Sequence, residues 1–244
     1  PTADFKCFDD YQQARCYIAS KEAPIVVKAD GLSKGKGVFV CKTNDEALQA
    51  IDSIMKDKVF GEAGDQVVIE ECLIGEEISL LAFTDGKNIV AMESSQDHKT
   101  VFDGDTGPNT GGMGAYSPVP LMTDELYLQV EKEILVPTVH AMNREERPYK
   151  GVIYIGLMIT DAGPMVLEYN VRLGDPEAQV ILSRMKSDIV QIMLATISED
   201  LDKVDLEWYS QASVCVVMAS GGYPGSYDNG KEITGLDSLK NQDG

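Results

Sequence analysis

The chain is punctuated by turns too short to do more than reverse its direction. Val67 to Glu71 and Glu77 to Phe83 read as strands about a turn at Ile74-Gly75, and Asp85-Gly86 then leads into a third, Asn88 to Met92. Further on, Gly151 to Ile159 is rich in branched residues and is followed by Asp161-Ala162-Gly163 and by Met165 to Asn170. Strands joined by such short turns run antiparallel, because a parallel crossover needs about a dozen residues or more. Helical spacing recurs elsewhere: Tyr11, Ala14 and Ile18 behind Asp9 or Asp10, and Ala47, Leu48, Ile51, Ile54 and Met55 behind Thr43 or Asn44. Leu126, Val130 and Ile134 follow Asp124 and stop before Pro137. Asp175-Pro176 predicts a helix start, with the carboxylate as cap and the proline at the first helical position. Ala178, Ile181, Leu182, Met185, Ile189 and Ile192 would then continue one helix. A last strand runs from Ala212 to Ala219. Helices mixed with antiparallel pairs favour an α+β or α/β fold over a doubly wound parallel sheet. Residues 95–120 hold turn formers and few core positions, and an irregular segment of that length is more often functional than neutral.

The chain carries 40 Asp and Glu against 21 Lys and Arg, a formal net charge of −19. That excludes a sequence-nonspecific nucleic-acid binder and a protein drawn to anionic membrane, since both need a positive field. No apolar run approaches the ~20 residues needed to cross a bilayer. The five cysteines are scattered and form no C-x-x-C pair, which suits a reducing cytoplasm better than a disulfide framework. The start at Pro1 and the end at Gly244 suggest an excised piece of a longer chain.

Against this acidity, the stretch "VVKADGLSKGKGVFV" gathers Lys28, Lys34 and Lys36 with Gly31, Gly35 and Gly37 between two apolar runs. Glycine lets a backbone approach an anion closely and lysine adds a mobile charge, so the loop suits a polyphosphate. It is neither a Walker loop nor G-x-G-x-x-G, and a solvated hairpin tip is the bland alternative. Lys28 shifts the balance, because a lysine directly after Ile25-Val26-Val27 has little structural reason to be there. In "MVLEYNVRLGDPE", Glu168 and Asn170 are two apart on a strand and share one face. A carboxylate and an amide oxygen side by side suit Mg²⁺, which completes its shell with water and substrate phosphate. Arg172 continues that face and offers a planar donor fork. A plain solvent-facing side remains the competing explanation.

These segments, together with "VVIEECLIGEEIS", "SQDHKTVFDGDTGPNTGGMGAYSPVP" and "GVIYIGLM", resemble the phosphoribosylamine-glycine ligase family of the ATP-grasp superfamily over nearly the whole chain. The resemblance implies two α+β subdomains with antiparallel sheets enclosing ATP. Residues 1–80 would form the small subdomain, 81–210 the large one and 211–244 the start of a C-terminal domain, with the family's N-terminal domain absent. It implies ATP-dependent ligation of glycine to 5-phosphoribosylamine through glycyl phosphate, with Mg²⁺ or Mn²⁺. Lys28, Gly35, Lys36 and Gly37 would approach the phosphates, Glu70, Glu71 and Leu73 would hold adenine, and Glu77 the ribose hydroxyls. Glu168 and Asn170 would bind the metal, Arg172 the transferring phosphate, and Asp175 would lie near the glycine amine, with a helix-cap role competing. Asp97, His98 and Lys99 fall near substrate without individual roles, and Gly111, Gly112 and Gly114 fit a loop wrapping substrate. Departures from the family pattern are Val171 and Leu173 where Cys and Phe are usual, and Thr100 where Arg is commoner. The expected enzyme is cytoplasmic and monomeric, with no nucleic-acid or membrane partner. The absent portions predict ATP and metal binding with weak or no turnover by this chain alone. Another ATP-grasp carboxylate-amine ligase and a nucleotide-binding module without chemistry are the alternatives.

Overall fold

The computed structural model describes residues 1–33 and 37–239. In its first half β1 (Phe5–Phe8), β2 (Ile25–Ala29), β3 (Val38–Cys41) and β4 (Val67–Glu71) form one antiparallel sheet in the order β1-β4-β2-β3. Two helices cover one face, α1 (Tyr11–Ala19) and α2 (Asn44–Ile51), the latter prolonged by a wider π-type turn over Asp52–Lys56. Both begin at the expected caps: Asp10 accepts from the Gln13 amide and Thr43 from that of Glu46. Ala14, Ile18, Ala47 and Ile51 bury themselves against Ile25, Val27 and Ile69. Side chains alternate along a strand, so Lys28 and Glu70 are left on the face turned away from these helices.

Strands β5 (Glu76–Thr84) and β6 (Ile89–Ala91) start a second sheet. Then come four short strands, β7 (Gln96–Asp97), β8 (Thr100–Phe102), β9 (Thr106–Asn109) and β10 (Gly114–Ser117). Helix α3 (Asp124–Val130) continues through a π-type turn, Glu131–Leu135, into α4 (Val136–Arg144). The hairpin β11 (Gly151–Thr160) and β12 (Gly163–Asn170) follows, then α5 (Glu177–Arg184), α6 (Ile189–Ser198) and β13 (Ser213–Val216). The large sheet has the order β12-β11-β5-β6, β13-β10-β7 form another, and β8 pairs with β9. Every ladder among the described residues is antiparallel. The architecture is α+β.

The large sheet is covered on both faces, which is why Leu80 to Phe83 is an unbroken apolar run. Leu80, Ala82, Ile153, Ile155 and Leu157 pack on Val130, Ile134 and Leu135 from the α3–α4 helix. Leu81, Phe83 and Tyr154 pack on Val180 and Ile181 of α5 and Ile192 of α6. Each such aliphatic side chain contributes roughly 1.5–3 kcal/mol by leaving water. The sheets change between Glu71 and Glu76, since β5 lies wholly in the second.

The structure corrects several expectations. Pro137 does not end its helix: the preceding π-type turn, in which the Val136 amide donates to the Glu131 carbonyl, accommodates it. The helix expected from Pro176 to Ile192 is two helices, the first beginning at Glu177. Met185 is extended and bridges to Trp208, the Lys186 amide donates to the Glu207 carbonyl, and Asp188 caps a new start by accepting from the Val190 amide. Asp175 does not cap α5; its carboxylate accepts from Gln179 Nε2 at 2.7 Å. Residues 95–120 contain four short strands, and β1 pairs with β4 although Phe5 to Phe8 has too little alternation to announce itself.

Candidate active site

The site is laid out by register. Gly156 on β11 stands opposite Ser79 on β5 and opposite Glu168 on β12, and Ser79 bridges Ser95. Directly opposed residues point to the same side of a sheet. Glu168, Ser79 and Ser95 therefore lie in one row on the α5-facing side, with Gly156 leaving a gap between the first two. One position along, Tyr154 pairs with Asn170, so Asn170 lies beside Glu168, and its Nδ2 donates to Glu168 Oε1 at 3.1 Å. Glu77 shares this face and forms an ion pair with Lys99. Burial works against the Lys99 ammonium, but Glu77 foremost, then Glu168 and Asp97, outweigh it and raise its pKa. Asp97 is pushed up to about 7 by burial and by Glu177, with Lys99 opposing.

Lys28 reaches this row from the other sheet. Its Nζ forms an ion pair with Glu70 at 2.6 Å and donates to the backbone carbonyl of Leu167 at 3.2 Å, one residue before Glu168. Lys28 of the small sheet thus touches the strand of the large sheet that carries Glu168. Gly37 is buried, its carbonyl accepts from the Ala29 amide, and a Cβ there would meet Ser33 Oγ at 2.5 Å, so Gly37 lies directly against Ser33. Gly35 and Lys36 lie outside the described residues.

The remaining expected residues are placed less centrally. Glu71 is exposed and accepts from the Asp4 amide, and Leu73 is half-buried in the crossing between sheets. Arg172 is exposed and donates to the Leu173 carbonyl, and Asp175 is bonded to Gln179. The ring of His98 stacks on Tyr116, centroids 6.0 Å apart. The structure adds residues that nothing in the sequence singled out. Glu177 is buried and accepts from Tyr154 Oη at 2.8 Å, and Tyr223 Oη accepts from the Gly111 amide at 3.0 Å. A carboxylate in the first turn of a helix gives no sign in sequence that it points inward.

No cluster of three or more His, Cys, Asp or Glu side chains arranged to hold a metal occurs among the described residues. Glu168 and Asn170 supply two hard oxygen donors on one face, beside a lysine. That set is too small for an all-protein cage and fits a Mg²⁺-type ion that takes its other ligands from water and phosphate.

Two α+β units with antiparallel sheets, the first sending a lysine to the strand of the second that carries Glu168 and Asn170, match the architecture of the ATP-grasp fold. Solved structures agree at the level of fold: biotin carboxylase from Campylobacter jejuni superposes with a TM-score of 0.66 over 88% of this chain and 46% of its own, at 14% identity. The chain belongs to the family of the phosphoribosylglycinamide synthetase ATP-grasp (A) domain, whose model matches residues 1–178. Phosphoribosylamine–glycine ligases from Rhodopirellula baltica and Halalkalibacterium halodurans are 53% and 50% identical to it, each over 98% of this chain and 56% of the relative. The crystal structure of the same enzyme from Thermotoga maritima superposes with a TM-score of 0.87 at 36% identity, covering 96% of this chain and 59% of that one. The chain thus spans little more than half the length of these relatives.

Proposed function

We propose that the protein carries the ATP-handling core of a phosphoribosylamine-glycine ligase. The reaction joins glycine to 5-phosphoribosylamine and yields glycinamide ribonucleotide, ADP and phosphate, a step of purine biosynthesis carried out in the cytoplasm. One observation supports the proposal: Lys28 Nζ lies 3.2 Å from the carbonyl that precedes Glu168, which brings the lysine to the strand that carries the carboxylate. A carboxylate oxygen is a poor leaving group until phosphorylated. ATP therefore gives its terminal phosphoryl group to glycine, and the amine then attacks the glycyl carbon, forming the C–N bond as phosphate departs with the C–O electrons and the amine loses a proton. Such transfer concentrates negative charge, and fixed cations are what stabilise it.

Within this assignment Lys28, with Gly35, Lys36 and Gly37, faces the phosphates. Glu70, Glu71 and Leu73 border the adenine and Glu77 the ribose. Glu168 and Asn170 would hold Mg²⁺ or Mn²⁺, whose chemistry is to neutralise phosphate oxygens. Arg172 serves the transferring group, and Asp97 and Lys99 line the substrate end.

The test is calorimetric titration of ATP into the 244-residue chain, with and without Mg²⁺, on the wild type and on Glu168→Gln. The ion is expected to tighten ATP binding about tenfold or more, a difference of about 1.4 kcal/mol or more, and the substitution to remove that gain. Absence of ATP binding overturns the proposal; enhancement that survives Glu168→Gln overturns the metal assignment.

A further inference from the structure

We propose that the pocket at the free edge of the large sheet, lined by Tyr127 of α3 and by Trp208, binds a small organic ammonium, a cation with an apolar body. The inference goes beyond the function just proposed and does not depend on it, because none of the residues assigned there lines this pocket.

The sheet topology creates the space. β6 is the last strand of the large sheet, and the chain leaves it after Ala91. Ala91 packs with the core beneath the α3–α4 helix, whereas Met92 packs with the core beneath α5 and α6. Tyr127 belongs to the first of these layers and Trp208 to the second. Layers on opposite faces are held apart by the sheet itself, and past its edge only side chains can fill the gap. Met92, Pro118, Met122, Tyr127 and Trp208 line what remains, a pocket of about 250 Å³.

The lining is aromatic, sulfur-rich and acidic. Its charged members are Glu93 and Asp124, and no Lys, Arg or His occurs among the described residues that line it. Arg184 pairs with Glu93 at 3.2 Å from outside the pocket, but its Nε, Nη1 and Nη2 donate to the Gln211 carbonyl, to Ser117 Oγ and to the Tyr209 carbonyl. Among the described residues the Glu93 carboxylate therefore accepts no hydrogen bond, and that of Asp124 has neither a hydrogen bond nor an ion pair. The Tyr127 hydroxyl and the Trp208 indole N–H are likewise without hydrogen-bond partners there. Burial, then Glu131 and Glu93, push the Tyr127 hydroxyl up to about 12, which agrees with a negative field at this wall. Such a field disfavours an anion, and a neutral apolar ligand would strip water from Glu93 without compensation. An ammonium answers each feature. Indole and phenol faces attract a cation, the carboxylates offer counter-charge and acceptors, and the thioethers cover an apolar body. Asp124 also sits in the first turn of α3, where a carboxylate suits the helix dipole, and that role leaves its oxygens open to a cation. The net charge of −19 draws small cations toward the surface as well.

Trp208 is the only tryptophan in the chain, so its fluorescence reports this pocket. The experiment titrates the protein with benzylammonium, benzyl alcohol and benzoate, which share a ring and differ in charge. Benzylammonium is expected to change Trp208 emission saturably and to bind about tenfold or more tightly than either of the others. Asp124→Asn should weaken it about threefold, and Glu93→Gln combined with Asp124→Asn should erase the preference, with thermal melts to verify folding. Should the double variant unfold, Asp124→Asn decides alone, since that position is exposed. Equal binding of alcohol and ammonium, tighter binding of benzoate, or a preference unchanged in Asp124→Asn overturns the proposal. Displacement of benzylammonium by ATP overturns the separate site. Binding that persists beside ATP, or in a preparation that binds no ATP, supports it whatever the fate of the ligase assignment. Tighter binding of Nα-acetyllysine amide than of benzylammonium would overturn the free amine as ligand and give the pocket to a lysine side chain of another protein.

Discussion

Asp85 shows how one side chain ties two elements together. It is 1% exposed and accepts from the amides of Lys87, Asn88 and Leu201 and from Asn88 Nδ2. Burial alone would raise its pKa, but those hydrogen bonds prevail and hold it at about 2. A carboxyl whose folded pKa lies below its unfolded value adds stability that is fully present above the unfolded pKa and fades as pH falls through the folded one. Asp85→Ala should therefore lower stability by about 3 kcal/mol at neutral pH, chiefly by stranding buried amides. Replacing Asp85 with Asn should give a penalty that shrinks between about pH 4 and pH 2, followed by thermal melts. Lys28 offers a test of the proposed function at the same scale. Its half-buried pair with Glu70 means that Lys28→Met should weaken ATP binding about tenfold or more, by removing a charge-assisted contact. Unchanged ATP affinity in calorimetry would remove Lys28 from the phosphate site.

Among the elements, the crossing from β4 to β5 is the most constrained. Gly75 lies between Leu73 and Glu77, and a Cβ there would run into the Ile159 carbonyl of β11. Gly75→Ala must push the start of β5 away from its neighbour, at a cost of about 1–3 kcal/mol, and should loosen nucleotide binding as well. A melting temperature and an ATP affinity both equal to wild type would show that the crossing is slack. Capping was legible at this scale: Asp10 and Thr43 each accept an amide at a helix start. The break at Met185 was not, because Ala178 to Ile192 keeps helical spacing straight through it. The interruption comes from Trp208 and Glu207, which draw Met185 and Lys186 into a bridge. A partner some twenty residues away leaves no trace in local periodicity.

For the molecule as a whole, Arg184 joins layers that the chain visits at distant points. From α5 it donates to Ser117 at the end of β10, to the carbonyls of Tyr209 and Gln211 leading into β13, and pairs with Glu93 at 3.2 Å. Arg184→Met should cost at least ~2 kcal/mol, since it strands those groups in a buried setting, and should expose residues 209–217 to limited proteolysis. Protection equal to wild type would show that β13 is held by its ladder alone. Residue spacing by itself determined the antiparallel hairpins, the starts of α1, α2 and α3, the absence of a positive field, and Glu168 and Asn170 as neighbours on one face, because each depends on residues within a turn or a strand of one another. The tertiary structure alone decided that Lys28 meets a carbonyl 139 residues away. It also decided that Glu177 turns inward, that Ser95 Oγ and Asp97 Oδ1 lack partners, and that Asp175 leaves the helix cap. Those outcomes depend on which surfaces pack together and which polar groups are thereby cut off from water, and no local pattern records that.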